Sequence, residues 1–313
     1  MSEDIIWAQK YRPRTVSETI LPNDLKKVLQ GFVDEKKIPN LILSGKSGVG
    51  KTTAAKAMLD EIGADYMIIN GSLKGNIDTL RVEISNFAST VSFAGGRKYV
   101  ILDEADYLNP QSTQPALRNF MEQYSKNCGF ILTCNFKNRI IDPLHSRCGV
   151  IDFKIPKSES HEISFQFFKR VITILENENV EFDKKVLAEF VHSYSPDWRR
   201  CLNELQRYSK IGKIDAGILS SKGDENFNEL MGYIRDKNFN SMRKWVANNQ
   251  DIDSDTLFSK MYDILNTEAS NPHNAAEGII ILAEYQFKEA FVANSEINRV
   301  AALTNIMASV NWK

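Results

Sequence analysis

Residues 45–52 read Gly45-Lys46-Ser47-Gly48-Val49-Gly50-Lys51-Thr52 and fill the pattern G-x-x-x-x-G-K-[ST] without a mismatch. The flanks have the order this pattern requires. Leu41-Ile42-Leu43 predicts a short buried strand before it, and Thr53-Ala54-Ala55-Lys56-Ala57-Met58-Leu59 predicts a helix after it. Glycines let backbone N–H groups curl around phosphate oxygens, and the helix directs its positive end at them. Lys51 is then placed to reach the β- and γ-phosphates, and Thr52 to offer its hydroxyl to Mg²⁺. Gly45, Ser47, Gly48, Val49, Gly50 and Thr53 complete the phosphate-binding set expected from this stretch. A nucleoside triphosphate, with ATP the expected one, and Mg²⁺ are the implied cofactors.

A second signal is Tyr99-Val100-Ile101-Leu102-Asp103-Glu104, an apolar strand ending in two acids. In a nucleotide-binding sheet the carboxyl end of a strand faces the phosphate loop. Asp103 is thereby expected in the Mg²⁺ shell, and Glu104 is expected to orient or deprotonate the attacking water.

The rest of the chain alternates and then stops alternating. Met67-Ile68-Ile69 reads as a strand; Ile77, Leu80, Ile84, Phe87 and Val91 form one helical stripe, closed by Gly95-Gly96. Leu117, Phe120, Met121 and Tyr124 form another, followed by the strand Phe130-Ile131-Leu132-Thr133. This β-α-β-α-β order predicts an α/β fold, a parallel sheet covered by helices on both faces. From about residue 155 only helical stripes recur: Ile163, Phe167, Val171, Leu175; then Val186, Leu187, Phe190, Val191; then Trp198, Leu202, Leu205, Tyr208. Ser220 to Asp224 is polar and reads as a linker to a last helical stretch that includes Leu257, Met261, Ile264 and Leu265. The expected domains are 1–155 (nucleotide-binding), 156–220 (a small helical lid) and 225–313 (all-helical).

Bulk properties restrict the function. The 313 residues are 42% hydrophobic with a formal net charge of −1, so nucleic acid has to be met by a local basic face. Cys128, Cys134, Cys148 and Cys201 lack C-x-x-C spacing, against a zinc module or a disulfide framework, and a packing role is expected for Cys128 and Cys134. No signal peptide opens the chain and no apolar run reaches the ~18 residues of a membrane helix, which leads to an expected location in the cytoplasm, or the nucleus for a eukaryotic relative.

The motif order resembles the AAA+ ATPases, and further segments narrow the likeness to clamp loaders. Trp7-Ala8-Gln9-Lys10-Tyr11-Arg12-Pro13 is similar to the W-x-x-K-Y-R-P box of replication factor C and its relatives. The resemblance implies that Tyr11, Arg12 and Pro13, with Ile20 and Leu21, enclose the adenine. Asn135 matches the family's first sensor, a neutral amide suited to hold the attacking water or the γ-phosphate. Ser146-Arg147-Cys148 matches the S-R-C motif, whose arginine enters the neighbouring subunit's ATP site in the family. Pro196-Asp197-Trp198-Arg199-Arg200-Cys201-Leu202-Asn203 resembles the second-sensor helix and implies that Arg199 contacts the γ-phosphate in its own subunit; Pro196 stands where the family has Gly. The resemblance is strongest to large subunits of T-even-type bacteriophage clamp loaders and next to replication factor C small subunits. The last domain resembles the collar that joins five subunits into a ring, on length and pattern alone.

The same resemblance implies partners. Asn86-Phe87-Ala88-Ser89-Thr90 resembles the helix whose end reaches the sliding clamp, and Val91, Phe93 and Ala94 fall at that end. Gln114-Pro115-Ala116-Leu117-Arg118 resembles a Q-x-x-L-R segment that couples subunits and DNA to the ATP site, through Gln114 and Arg118. Lys74, Asn76 and Arg81 at one helix start, and Gln111, Ser112 and Thr113 at another, are the candidates for primer–template phosphates, which carry no sequence information. The expected function is ATP-driven loading of the clamp, with hydrolysis releasing it. Two other readings fit part of the sequence. Asp103-Glu104-Ala105-Asp106 spells the DEAD-box helicase letters, but that reading needs a second motor domain and a strand ending Ser-Ala-Thr, and here the strand ends Thr133-Cys134-Asn135. The alternative from another class is a nucleotide-binding adaptor without turnover. The combination Lys51, Asp103, Glu104, Asn135, Arg147 and Arg199 argues against it.

Overall fold

The computed structural model describes residues 6–72, 77–92, 95–210, 212–218, 223–250 and 252–312, with the backbone alone for 77–80 and 223–226. The chain divides into two compact units, Met1–Leu219 and Ser220–Lys313.

In the first unit, helices α1 (Trp7–Lys10) and α2 (Asn23–Asp34) lead into an alternating series. It runs β1 (Leu41–Ser44), α3 (Lys51–Glu61), β2 (Tyr66–Asn70), α4 (Ile77–Ser89), β3 (Lys98–Asp103), α5 (Thr113–Gln123), β4 (Cys128–Cys134), α6 (Asp142–His145) and β5 (Gly149–Asp152). The five strands form one parallel sheet in the order β2-β3-β4-β1-β5. Alternation along each strand sends side chains to opposite faces. On one face Ile42, Val100, Leu102, Phe130 and Leu132 pack with Ile84 and Ala88 of α4 and Leu117 and Phe120 of α5. On the other, Leu41, Leu43, Tyr99, Ile101 and Ile131 pack with Leu29 and Val33 of α2 and Ala54, Met58 and Leu59 of α3. All seven residues of β4 are buried, because the strand lies between β3 and β1 and beneath both helical layers. Burying each large side chain of this kind stabilises the fold by about 1.5–3 kcal/mol before the entropy of ordering is subtracted.

Strand β5 has no counterpart in the expected elements. It is four residues long at the sheet edge, mostly exposed, and too short to stand out as a periodic run. Helix α4 also ends earlier than its stripe suggests. It stops at Ser89, so Val91 lies beyond it and is 88% exposed instead of packing with Ile84. The helical period continued past the point where the backbone hydrogen bonds stop.

Helices α7 (Ser160–Asn177), α8 (Lys184–Tyr194) and α9 (Trp198–Ser209) form a second core around Ile163, Phe167, Val171, Leu187, Phe190 and Leu205. Phe167 and Trp198 stack with ring centroids 4.3 Å apart. Asp183 and Asp197 cap α8 and α9 by accepting from first-turn amides, which satisfies donors that no helix can satisfy internally. Trp7 is buried in this helical core and not on the sheet, and its backbone N–H donates to Gln206 Oε1 at 2.9 Å.

The second unit contains α10 (Gly223–Arg235), α11 (Phe239–Asn248), α12 (Ser254–Glu268), α13 (Pro272–Glu289) and α14 (Ser295–Ser309). The expected linker is therefore partly helical, since Gly223 and Asp224 open α10. Its core joins Leu230, Trp245, Phe258, Met261, Leu265, Leu282, Leu303 and Ile306. Gly278 permits a close approach of α13 and α12, because a Cβ there would lie 2.5 Å from Leu265 Cδ2.

Candidate active site

The loop between β1 and α3 is shaped by two left-handed glycines, Gly48 at φ 75° and Gly50 at φ 96°. Any side chain is strained there. Gly48 is also hemmed in, since a Cβ would fall 1.8 Å from Asp197 Oδ1. Gly50 starts α3 without a side-chain cap, which leaves first-turn amides directed into the loop. Lys51 is buried and its ammonium donates to Gly45 O (2.6 Å), Lys46 O (2.8 Å) and Asn135 Oδ1 (2.9 Å). Burial holds its pKa below the ordinary lysine value, and neighbouring Cys134, Asp103 and Asp106 oppose that shift. A buried cation beside a glycine loop and an uncapped helix start has the charge and donors that suit an anionic phosphate.

The strand ends supply the opposing carboxylates. Asp103, at the end of β3, accepts at Oδ1 from Thr52 Oγ1 and from Thr133 Oγ1, each at 2.6 Å. A hydroxyl and a carboxylate meeting beside a phosphate loop form the oxygen donor set that suits Mg²⁺. Glu104 follows in a left-handed conformation (φ 56°), which costs a non-glycine residue roughly 1 kcal/mol. Its N–H donates to Thr133 Oγ1 at 3.2 Å. Thr133 thus ties the two acidic residues to β4. It was not singled out from the sequence, although a hydroxyl in an otherwise apolar buried strand was the available signal. Asp106 is buried two residues on, and its Oδ2 accepts from the N–H groups of Asn135 and Phe136, both at 3.1 Å.

The cleft runs from this corner to a less polar end. Tyr11, Arg12, Pro13, Ile20 and Leu21 line it, together with Thr19 and, from the helical side, Phe167, Arg170, Trp198 and Arg199. The Tyr11 hydroxyl donates to Glu178 Oε1 at 2.5 Å, and Lys10 Nζ donates to the same oxygen at 2.7 Å. These donors, Lys10 foremost, hold the Glu178 carboxyl below its ordinary pKa, while burial chiefly pushes the Tyr11 phenol up. Arg170 donates to Glu18 O at 2.7 Å, and burial lowers its pKa. Glu178 and Arg170 bind the helical layer to the wall that carries Tyr11 and the segment around Glu18, and neither carried a motif.

Residues 41–156 match the family model described as "ATPase family associated with various cellular activities (AAA)". Residues 159–220 match "Sliding-clamp-loader large subunit, AAA+ ATPase lid domain". The chain is 34% identical to the sliding-clamp-loader large subunit of Enterobacteria phage T4, over 98% of this chain and 97% of that protein. It belongs to the clamp-loader family of AAA ATPases. The sliding-clamp-loader large subunit of Escherichia phage RB69 is also 34% identical, over 100% and 98% of the two chains. The replication factor C small subunit of Archaeoglobus fulgidus is 36% identical over 76% of each. Among solved structures, a RuvB mutant of Thermotoga maritima has a TM-score of 0.56 at 17% identity, covering 83% of this chain and 94% of that one, a likeness of fold alone.

In this AAA ATPase Ser47, Gly48, Val49, Gly50, Lys51, Thr52, Thr53, Asp103, Glu104, Asn135 and Arg199 all line one cleft. Gly45 stands behind it and contributes its carbonyl to Lys51. Arg147 lies elsewhere, on the surface after α6, with Nε and Nη2 on Glu122 Oε1 at 2.9 and 2.5 Å. Gln114 is wholly buried. Its amide nitrogen donates to Leu108 O and Arg139 O, each at 3.0 Å, and its oxygen accepts from Ile141 N at 2.8 Å. Arg118, on the same helix, is exposed.

The expected macromolecular contacts divide. Lys74, Asn76, Phe93 and Ala94 lie outside the described residues. Arg81, Gln111 and Ser112 are exposed. Thr113, expected to face phosphate, is buried instead. It is 2% exposed and its N–H is bonded to Asn109 O, so it offers no surface to a phosphate on this subunit. The N–H groups of Gln111 and Ser112 are likewise held, by Asn109 Oδ1 at 2.8 and 3.1 Å. Asn109 folds this helix start back on itself, a detail invisible to a search for polar residues before a helix. All four cysteines are free; Cys128 and Cys134 are buried at the two ends of β4, in keeping with a packing role. Among the described residues no helix is long and apolar enough to cross a membrane.

Proposed function

We propose that this chain is an ATP-hydrolysing subunit of a sliding-clamp loader, working with Mg²⁺ in a five-subunit ring on primer–template DNA. The single observation that carries the reading is the separation of Arg147 from its own cleft. One subunit holds Lys51, Thr52, Asp103, Glu104, Asn135 and Arg199 around one site, while the guanidinium of the S-R-C motif faces outward. A cleft that gathers these groups in one subunit and leaves the Arg147 guanidinium outside it supports a reading of hydrolysis gated by a neighbour.

In this reading the glycine loop and α3 bind the triphosphate, and Lys51 exchanges a protein acceptor for a phosphate oxygen. Thr52 and Asp103 hold Mg²⁺, which supplies charge neutralisation at the phosphates. Glu104 takes the proton of the attacking water, Asn135 orients that water or the γ-phosphate, and Arg199 carries γ-phosphate contact to the lid. Tyr11, Arg12, Pro13, Ile20 and Leu21 enclose the adenine. Arg147 completes the site of the next subunit. Residues 1–155, 156–220 and 225–313 act as ATPase, lid and collar. Arg81, Gln111 and Ser112 meet DNA phosphates together with Lys74 and Asn76. Val91, with Phe93 and Ala94, contacts the clamp, and its exposure beyond α4 suits that role. Gln114 and Arg118 couple neighbours and DNA to the site.

ATP hydrolysis is measured for the chain alone, in complex with its partner subunits, and with clamp and primed DNA added. Strong stimulation on assembly is expected. Full speed in the isolated chain, indifferent to clamp and DNA, would overturn the reading. The adaptor reading is separated by the same assay, since an adaptor binds nucleotide and gives no turnover that Lys51→Ala removes.

A further inference from the structure

The Asp-Glu-Ala-Asp stretch holds a third acid that the reaction does not use. Asp103 and Glu104 face the cleft, whereas Asp106 sits on the 3₁₀ turn Ala105–Tyr107 and is 6% exposed. A buried carboxylate is costly unless its charge is met by donors. Asp106 meets two at Oδ2, the consecutive backbone N–H groups of Asn135 and Phe136, while its buried Oδ1 has no hydrogen-bond partner among the described residues. Those amides begin where β4 ends at Cys134, so the strand hands its last hydrogen bonds to a side chain. The residue so gripped is the one whose side-chain oxygen receives Lys51 Nζ at 2.9 Å. A chain of contacts therefore runs from Asp106 through the Asn135 backbone to the Asn135 amide and the Lys51 ammonium. The 3₁₀ turn is also next to Glu104, whose left-handed backbone makes the turn possible. Displacing Asp106 would loosen both sides of the same corner.

We infer that Asp106 is a positioning residue for turnover, fixing the backbone of Asn135 so that its amide is aimed into the cleft. It touches neither nucleotide nor water. The inference rests on the reading of Asn135 as the residue that faces the γ-phosphate. The rival is a buried carboxylate that only stabilises the fold. The two differ in which constant changes and in whether the effect passes through Asn135.

The test uses the assembled complex with clamp and primed DNA, carrying Asp106→Ala, Asn135→Ala or both, and Asp106→Asn as a milder variant should Asp106→Ala not fold. Nucleotide affinity is measured on the same samples with a fluorescent ATP analogue. Expected for Asp106→Ala is a kcat lower by about tenfold or more, with affinity within about twofold of the parent. Added to Asn135→Ala, it lowers kcat by less than about twofold, because the residue it positions is already gone. A full multiplicative loss in the double variant overturns the inference, as does a loss of affinity with kcat intact. If Asn135→Ala alone leaves kcat unchanged, the reading of Asn135 fails. The inferred role in turnover then falls with it; if Asn135→Ala is slow but the side-chain amide resonance of Asn135 is unmoved in Asp106→Asn, the inference alone falls and the reading of Asn135 stands.

Discussion

The Thr52 hydroxyl donates to Asp103 Oδ1 at 2.6 Å, joining the helix after the phosphate loop to the acidic end of β3. The two residues are 51 positions apart in sequence. Their meeting defines the corner where Mg²⁺ is proposed to bind, with the hydroxyl oxygen as a ligand and the carboxylate beside it.

Thr52→Val preserves shape and removes that oxygen. Turnover with Mg²⁺ is expected to fall by about a hundredfold, an effect of the size seen when one preorganised oxyanion donor is lost. Nucleotide affinity measured in chelator is expected to change little. Equal affinity losses with and without Mg²⁺ would place Thr52 away from the metal.

Arg147→Ala tests action on a neighbour. The side chain lies outside the cleft of its own subunit, so nucleotide affinity of the isolated chain should be unaltered. Hydrolysis in the assembled complex should drop by about a thousandfold, the low end for an arginine finger. The lost ion pair with Glu122 is half exposed and adds little to stability. A normal rate in the complex would return Arg147 to a purely structural role.

Gln114→Leu tests the buried amide between α5 and the loop before α6. It strands Leu108 O, Arg139 O and Ile141 N without partners. A loss of about 3 kcal/mol is expected, since each stranded group costs about 1–3 kcal/mol and some relax or find water. Urea unfolding followed by circular dichroism reads it, and an unshifted midpoint would contradict the network.

Glu178→Gln tests the tie between the N-terminal box and the lid through pH. The Glu178 carboxyl is held below its ordinary 4.5 by donation from Lys10 and Tyr11. A depressed acid contributes stability that is fully present above the unfolded value and is lost as pH falls through the folded one. The variant should therefore melt earlier than the parent at pH 7, and the gap should close as pH falls from about 4.5 downward. Tryptophan fluorescence, to which Trp7 and Trp198 contribute, follows the transition. A gap that is constant with pH would remove the charge from the explanation.

What was readable beforehand differs by residue for a physical reason. Lys51, Thr52, Asp103 and Glu104 stand in short contiguous motifs whose backbone geometry is local, so their place in one cleft follows from glycine, strand and helix in order. The sheet was readable where strands are buried on both faces, as with Phe130 to Thr133, and not at β5, where a short exposed edge leaves no run. Thr133, Arg170 and Glu178 had no motif because each acts through a partner far along the chain, Glu104, Glu18 and Tyr11 respectively. Thr113 looked available because a polar residue at a helix start usually is, and burial removed it.

Composition, periodicity and the phosphate-loop motif by themselves determined an α/β nucleotide-binding layer followed by helical segments, because these depend on hydrogen bonds and apolar spacing within a few residues. Only the tertiary structure decided that Trp7 joins the helical core, that Arg147 pairs with Glu122 away from the cleft, and that Asp106 grips Asn135. Each of these depends on which distant groups meet once the layers pack, and no local pattern encodes that.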